Sequence, residues 1–176
     1  MKALMTLFWR LAIFRAGPED TPYSPAILAL VMMIWTGLQL VVGLAQSNLP
    51  AALLLGSQWL ALTILLMGTL VLLSFKGLTG RWLQTATALV GVDVVLSIVN
   101  LPLLAVGVLL GGATGGLEVF YLLLISWQLA AQAFIFHRAL NVGPFLGLAI
   151  SMMLLVVSYG TVATVLPEVL VPPSPA

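Results

Sequence analysis

The chain has 176 residues, 62% hydrophobic and 6% charged, with six basic and five acidic side chains and a formal net charge of +1. Soluble domains carry about a quarter charged residues, so this composition excludes a water-soluble globule and makes lipid the solvent of most of the surface. The scattered basic residues exclude a nucleic-acid patch, and the lack of cysteine excludes disulfides, thiolate metal sites and a cysteine nucleophile.

In chain order, residues 1–24 come first and hold Lys2, Arg10, Arg15, Glu19 and Asp20, after which no charge occurs until Lys76. Leu4, Leu7, Phe8 and Leu11 recur at i, i+3, i+4 and i+7, while Lys2, Thr6 and Arg10 share another face. That pattern predicts an amphipathic interfacial helix lying along the membrane plane, with Trp9 at headgroup depth. Arg10 and Arg15 interrupt the apolar stretch and no small-residue cleavage site follows, so the segment is expected to be retained rather than removed. Gly17 and Pro18 stop the helix, and Pro22 and Pro25 hold the connection extended as a hinge. The plainer role of this stretch is an anchor. The sharper one is a membrane-surface or partner-docking strip made by Arg10, Arg15, Glu19, Asp20 and Tyr23, joined by His137 and Arg138.

Residues 25–167 read as a transmembrane domain of five spans. Long apolar runs, rather than ten-residue alternating segments, make the spans helical. Ser24 and Pro25, an N-cap residue and a first-turn proline, open the first at 25–45. Gln46, Ser47 and Asn48 form a tight turn before the second at 49–75. Lys76 to Arg81 leads into the third at 82–104, where Asn100 and Pro102 predict a kink; residues 103–112 either extend it or lie at the interface. Gly111, Gly112, Gly115 and Gly116 precede the fourth span at 117–136. Asn141, Gly143 and Pro144 lie where the fifth, at 140–166, begins, and the proline-rich residues 168–176 form a tail.

Threading the chain five times puts Lys2, Arg10, Arg15, Lys76, Arg81 and Arg138 at one side and Glu118 and Glu168 at the other. The positive-inside rule then predicts a cytoplasmic amino terminus and a carboxy terminus on the opposite side. The expected fold class is an all-α polytopic helical bundle. Its short loops fit a multi-pass protein of a bacterial inner membrane.

Asp93 stands deep in the third span, where a carboxylate costs about 2.5–3.5 kcal/mol on insertion scales, so it must face protein or water. Ser97 and Asn100 follow at i+4 and i+7, one polar stripe along the helix. The fourth span offers a counterpart in Glu118, Tyr121, Gln128 and Gln132, and apposed stripes would let carboxamides satisfy the acid. One reading is a structural staple between spans three and four, worth about 0.6–2 kcal/mol per bond. The other is a proton or polar-substrate site, with an interface to another subunit as a third.

Catalysis finds no constellation. His137, the sole histidine, belongs at the membrane edge, remote from Asp93, and GxSxG, HExxH and phosphate-loop patterns are missing. No set of ligand residues has metal spacing, so no catalytic residue, metal or cofactor is assigned. Gly107 with Gly111, Gly112 with Gly116, and Gly143 with Gly147 match GxxxG and mark close helix packing first, oligomerisation second.

Five spans, a cytoplasmic amino terminus and a Gly/Pro/Tyr segment before the first crossing resemble the Yip family of small five-span proteins. "ISWQLAAQAFIFHRALNVGPFLGLAI", with Trp127, a short basic turn and a small-residue re-entry, is similar to that family's closing pair of spans. "GPEDTPYSP" departs from the family's Asp-Leu-Tyr-Gly-Pro pattern, and the long cytoplasmic domain of eukaryotic members is missing. The resemblance implies association with trafficking machinery in eukaryotic relatives and carries over no functional residue. The expected function is a non-enzymatic scaffold or accessory subunit bound to lipid and to another membrane protein or its own copies. The alternative is a small transporter, channel or lipid-handling subunit centred on Asp93.

Overall fold

The computed structural model describes residues 2–46, 49–110 and 115–169. Ser47 and Asn48, where a turn is expected, Gly111 and Gly112, and the tail from residue 170 lie outside them. Within the described residues the chain is all-α: α1 (Lys2–Ala12), α2 (Pro25–Gln46), α3 (Ala51–Phe75), α4 (Trp82–Leu109), α5 (Gly115–Leu140) and α6 (Pro144–Val165), with single 3-10 turns at Pro18–Asp20, Thr79–Arg81 and Pro167–Val169. The five helices from α2 onward are each long and apolar enough to cross a membrane. Their outward faces carry residues as apolar as the core, among them Met33, Val71, Leu122 and Val156. A bundle with such an exterior is stable where lipid, not water, covers it. The chain is a multi-pass membrane protein.

Helix ends follow local chemistry. Pro50 is the N-cap of α3, and the helix starts at Ala51, two residues later than hydropathy suggests. Asn141 adopts a left-handed φ of 50°, and the Val142 N–H returns to the His137 carbonyl at 3.2 Å. Asn tolerates that conformation, so α5 closes there with a Schellman-type bond and keeps Leu140. The fifth crossing accordingly opens at Pro144, not at residue 140. α4 passes Pro102 as a continuous helix, and residues 103–109 extend it.

α4 is the hub: its buried residues include Leu83, Leu89, Val92, Val95 and Leu96, and it packs against α1, α2, α3 and α5. α2 and α4 run parallel and side by side although α3 separates them in sequence. α6 completes the bundle against α5 and α3. Gly147 lets α6 approach α5 closely, since a Cβ there would stand 2.5 Å from the Ala133 carbonyl oxygen.

α1 does not leave its apolar face to lipid. Phe8, Leu11 and Ala12 are buried by α4 and α5, with Leu4 and Leu7 packed against the same core. The reason is Gly91: a Cβ there would lie 2.3 Å from the Phe8 ring, so the missing side chain provides the socket. Trp127 Nε1 donates to the Ala12 carbonyl at 2.8 Å, and Trp9 meets Trp127 edge-on at 6.2 Å. Gly91→Val fills the socket and should release α1, so that trypsin cleaves at Arg10 and Arg15 several-fold faster than in the parent. Unchanged protection would show that this packing does not hold α1.

Candidate functional site

Asp93 is the twelfth residue of α4, about 16 Å along the axis at ~1.5 Å per residue. Three N–H groups converge on it. Trp35 Nε1, from α2, donates to Oδ2 in a short contact; Gln39 Nε2, one turn further on α2, donates to the same oxygen at 3.4 Å; Gln128 Nε2, from α5, donates to Oδ1 at 2.7 Å. Gln39 also reaches Ser97 Oγ at 3.5 Å. Trp59 of α3 stands edge-on to the Trp35 ring at 6.1 Å and helps fix the indole that points at the acid.

A cavity of about 760 Å³ opens beside Asp93 and is walled by all five spanning helices. Besides the α4 stripe of Asp93, Ser97 and Asn100, its polar lining includes Ser57 and Gln58 from α3, Tyr121 and Gln132 from α5, and Ser158 and Tyr159 from α6. It extends toward Gln46 and Val169, at the end of the bundle where α2 and α6 finish. Asn100 Oδ1 is the one buried side-chain polar atom without a hydrogen-bond partner among the described residues. Such an atom costs stability unless something in the cavity meets it.

Of the residues the sequence grouped with Asp93, the structure brings Ser97, Asn100, Tyr121, Gln128 and Gln132 to this cavity and leaves Glu118 apart. Glu118 sits exposed in the first turn of α5 and does not line the cavity. The sequence reading missed Trp35 and Gln39. Their signal was present, because Trp35, Gln39 and Gln46 lie at i, i+4 and i+11, one face of an otherwise apolar helix.

The arrangement has a definite chemical bias. A carboxylate is an acceptor-only group, matched here by three neutral donors, and none of the residues lining the cavity is basic. The donors fix its orientation but supply no net counter-charge. A proton or a cation entering the cavity would supply it.

The surface residues gather around the opposite end. Arg10, Arg15 and Tyr23 are exposed, and the Asp20 carboxylate accepts the Gly17 N–H at 2.9 Å, shaping the hinge. Glu19 pairs with Arg138 while both side chains are about half exposed, 50% and 47%. Such pairs contribute about 0–1 kcal/mol. The hinge is held more firmly by α4: Thr21 Oγ1 lies 2.9 Å from the Gln84 carbonyl oxygen, and Gln84 Nε2 donates to the Thr21 and Glu19 carbonyls at 3.1 and 3.3 Å. His137 Nδ1 donates to the Val142 carbonyl.

Comparison with protein-family models, with curated proteins and with solved structures finds no match. The functional reading therefore rests on this geometry. Replacing Asp93 by Leu strands three N–H donors at about 1–3 kcal/mol each, before relaxation. At ~2–4 °C per kcal/mol for a chain of this size, thermal unfolding in detergent should fall by at least about 4 °C. Asp93→Asn should fall less, since Gln128 can turn its amide to accept the new NH₂. Equal loss in both variants would mean that the ionisable group, not the bonding, holds the helices.

Proposed function

We propose that this chain is a small, non-enzymatic membrane transport or ligand-binding subunit in which Asp93 binds a proton or a small monovalent cation. The single observation that carries this is a lone carboxylate, held by neutral donors only, on the wall of a cavity of mixed apolar and uncharged polar lining between five apolar helices. A structural staple needs the bonds but not the cavity. A cation site needs both, together with spare oxygens such as Asn100 Oδ1.

The orientation follows from charge. With Lys76, Arg81 and Arg138 at the end where α3 and α5 finish, that end is cytoplasmic, α1 is inserted from it to the depth of Gly91 and Trp127, and the cavity opens to the non-cytoplasmic side. Short loops fit a bacterial inner membrane. Because the chain has no cysteine, single cysteines report topology cleanly. Lys2→Cys should react with an impermeant maleimide only from the cytoplasmic face and Glu168→Cys only from the other; labelling of both from one face would overturn the arrangement.

The functional test is flux. Reconstituted in vesicles with an entrapped pH dye, the protein should accelerate proton or Na⁺ movement under a gradient. Asp93→Asn should abolish this with the fold intact. Flux that persists in Asp93→Asn, or is absent from the parent, removes this reading.

A second reading, a scaffold or accessory subunit with the Yip-like layout, is supported by Gly37 on α2 and Gly160 on α6. Neither has any atom within 4 Å of where a Cβ would stand, so both leave room for a helix of another protein or a second copy.

A further inference from the structure

A second cavity, of about 550 Å³, lies at the end of the bundle carrying α1, between the start of α4 and the end of α5. Its volume falls within the range of about 300–1,000 Å³ of small-ligand sites. Arg81, Arg138 and His137 line it with Gln84, Asn141 and Glu19. Arg81 spends one donor on the Ala139 carbonyl at 3.4 Å, which caps the end of α5 and leaves the rest of its guanidinium uncommitted by that bond. Glu19 enters from the hinge and pairs with Arg138.

We propose that this cavity is a site for a phosphate-bearing anion, the headgroup of an anionic lipid, and that the Glu19 carboxylate is its displaceable internal occupant. Three features carry the inference. Two arginines, Arg81 from the turn before α4 and Arg138 from α5, line one concave space, a pairing suited to phosphate oxygens. The protein itself already places an acidic group there, so the space accepts anions. The Glu19 side chain can leave without unfolding the hinge, because the Gln84 bonds to the hinge run to backbone carbonyls and not to its carboxylate. The site is open to the surface at the helix ends, where the membrane headgroups lie. It is independent of Asp93.

The experiment compares binding of short-chain phosphatidylglycerol and phosphatidylcholine of equal chain length to the detergent-purified full chain by native mass spectrometry. Inorganic phosphate is titrated as a competitor to separate lipid from free anion. Phosphatidylglycerol should bind at least fivefold tighter than phosphatidylcholine. Glu19→Gln, which removes the competing carboxylate, should tighten phosphatidylglycerol binding about threefold or more, and Arg138→Gln should weaken it at least fivefold. Lys76→Gln, the same charge change outside the cavity, should leave binding unaltered, as should Asp93→Asn. Gel filtration checks that each variant stays folded, and Arg138→Lys, which keeps the charge but loses the fork, should give an intermediate loss. Equal weakening in Lys76→Gln and Arg138→Gln, or no gain in Glu19→Gln, would overturn the site. Saturation by inorganic phosphate at sub-millimolar concentration with no lipid preference would overturn the headgroup assignment.

Discussion

The organising constraint is the carboxylate of Asp93. An acid within a helix long and apolar enough to cross lipid cannot be left to the hydrocarbon, so the chain around it has to bring polar hydrogen inward from several directions. It does so with Trp35 and Gln39 from α2 and Gln128 from α5. This explains why α2 and α4, which are not neighbours in sequence, lie side by side, and why Trp59 of α3 braces an indole belonging to α2. Apolar packing alone discriminates poorly among helix arrangements in lipid, where every outer face is equivalent, and a three-donor site singles one out.

Gathering polar groups has a geometric consequence. Carboxamides and hydroxyls from all five spans line an open cavity beside the acid, while the half of the bundle toward the start of α4 keeps a continuous apolar core. Among the described residues the cavity lining runs from the level of Asp93 toward Gln46 and Val169. Toward the other end α1 lies across α4 and α5, its Phe8 ring seated on Gly91, two residues before Asp93, and Trp127 bonded to the Ala12 carbonyl. Gly91 and Asp93 are two positions apart, about 200° round the helix, so α1 buttresses the face of α4 that turns away from the acid and lines no part of the cavity. The acid is therefore approached from the open end, and α1 holds the opposite face of α4 in place.

Much of the fold was legible because hydropathy and helix length act locally. The five spans follow from runs of apolar residues, and their observed ends differ from the sequence reading where a single residue intervenes, as with Pro50 and Asn141. The α4–α5 part of the site was legible in outline, since Asp93, Ser97 and Asn100 share one helical face, as do Tyr121, Gln128 and Gln132 closely enough to meet them. The α2 part was not. Periodicity states which face of a helix is polar but not which neighbour it meets, and Trp35 counted as apolar although its one N–H is what the acid needs. Glu118 was grouped with the cluster by face alone. It lies ten residues before Gln128, about 15 Å along the axis, which removes it from the acid's depth. The docking of α1 was hidden for a related reason: an amphipathic face looks the same whether lipid or protein covers it, and only the glycine opposite Phe8 distinguishes the two.

The two ends of the molecule share the same rods. α6 is keyed to α5 through the close approach at Gly147, and α2 lies along α4, so the bundle divides into two pairs with a seam between α4 and α5. The polar links across or beside that seam are Asp93 to Gln128, Arg81 to the Ala139 carbonyl, Glu19 to Arg138 and Trp127 to the Ala12 carbonyl. Helices are stiff along their axes. A slide of one pair past the other by a single turn, about 5.4 Å, exceeds the reach of every one of these bonds. The four links therefore fix one register of the two pairs, and an anion that pulls Glu19 away from Arg138 removes one of them while the bonds at Asp93, Ala139 and Ala12 still hold that register.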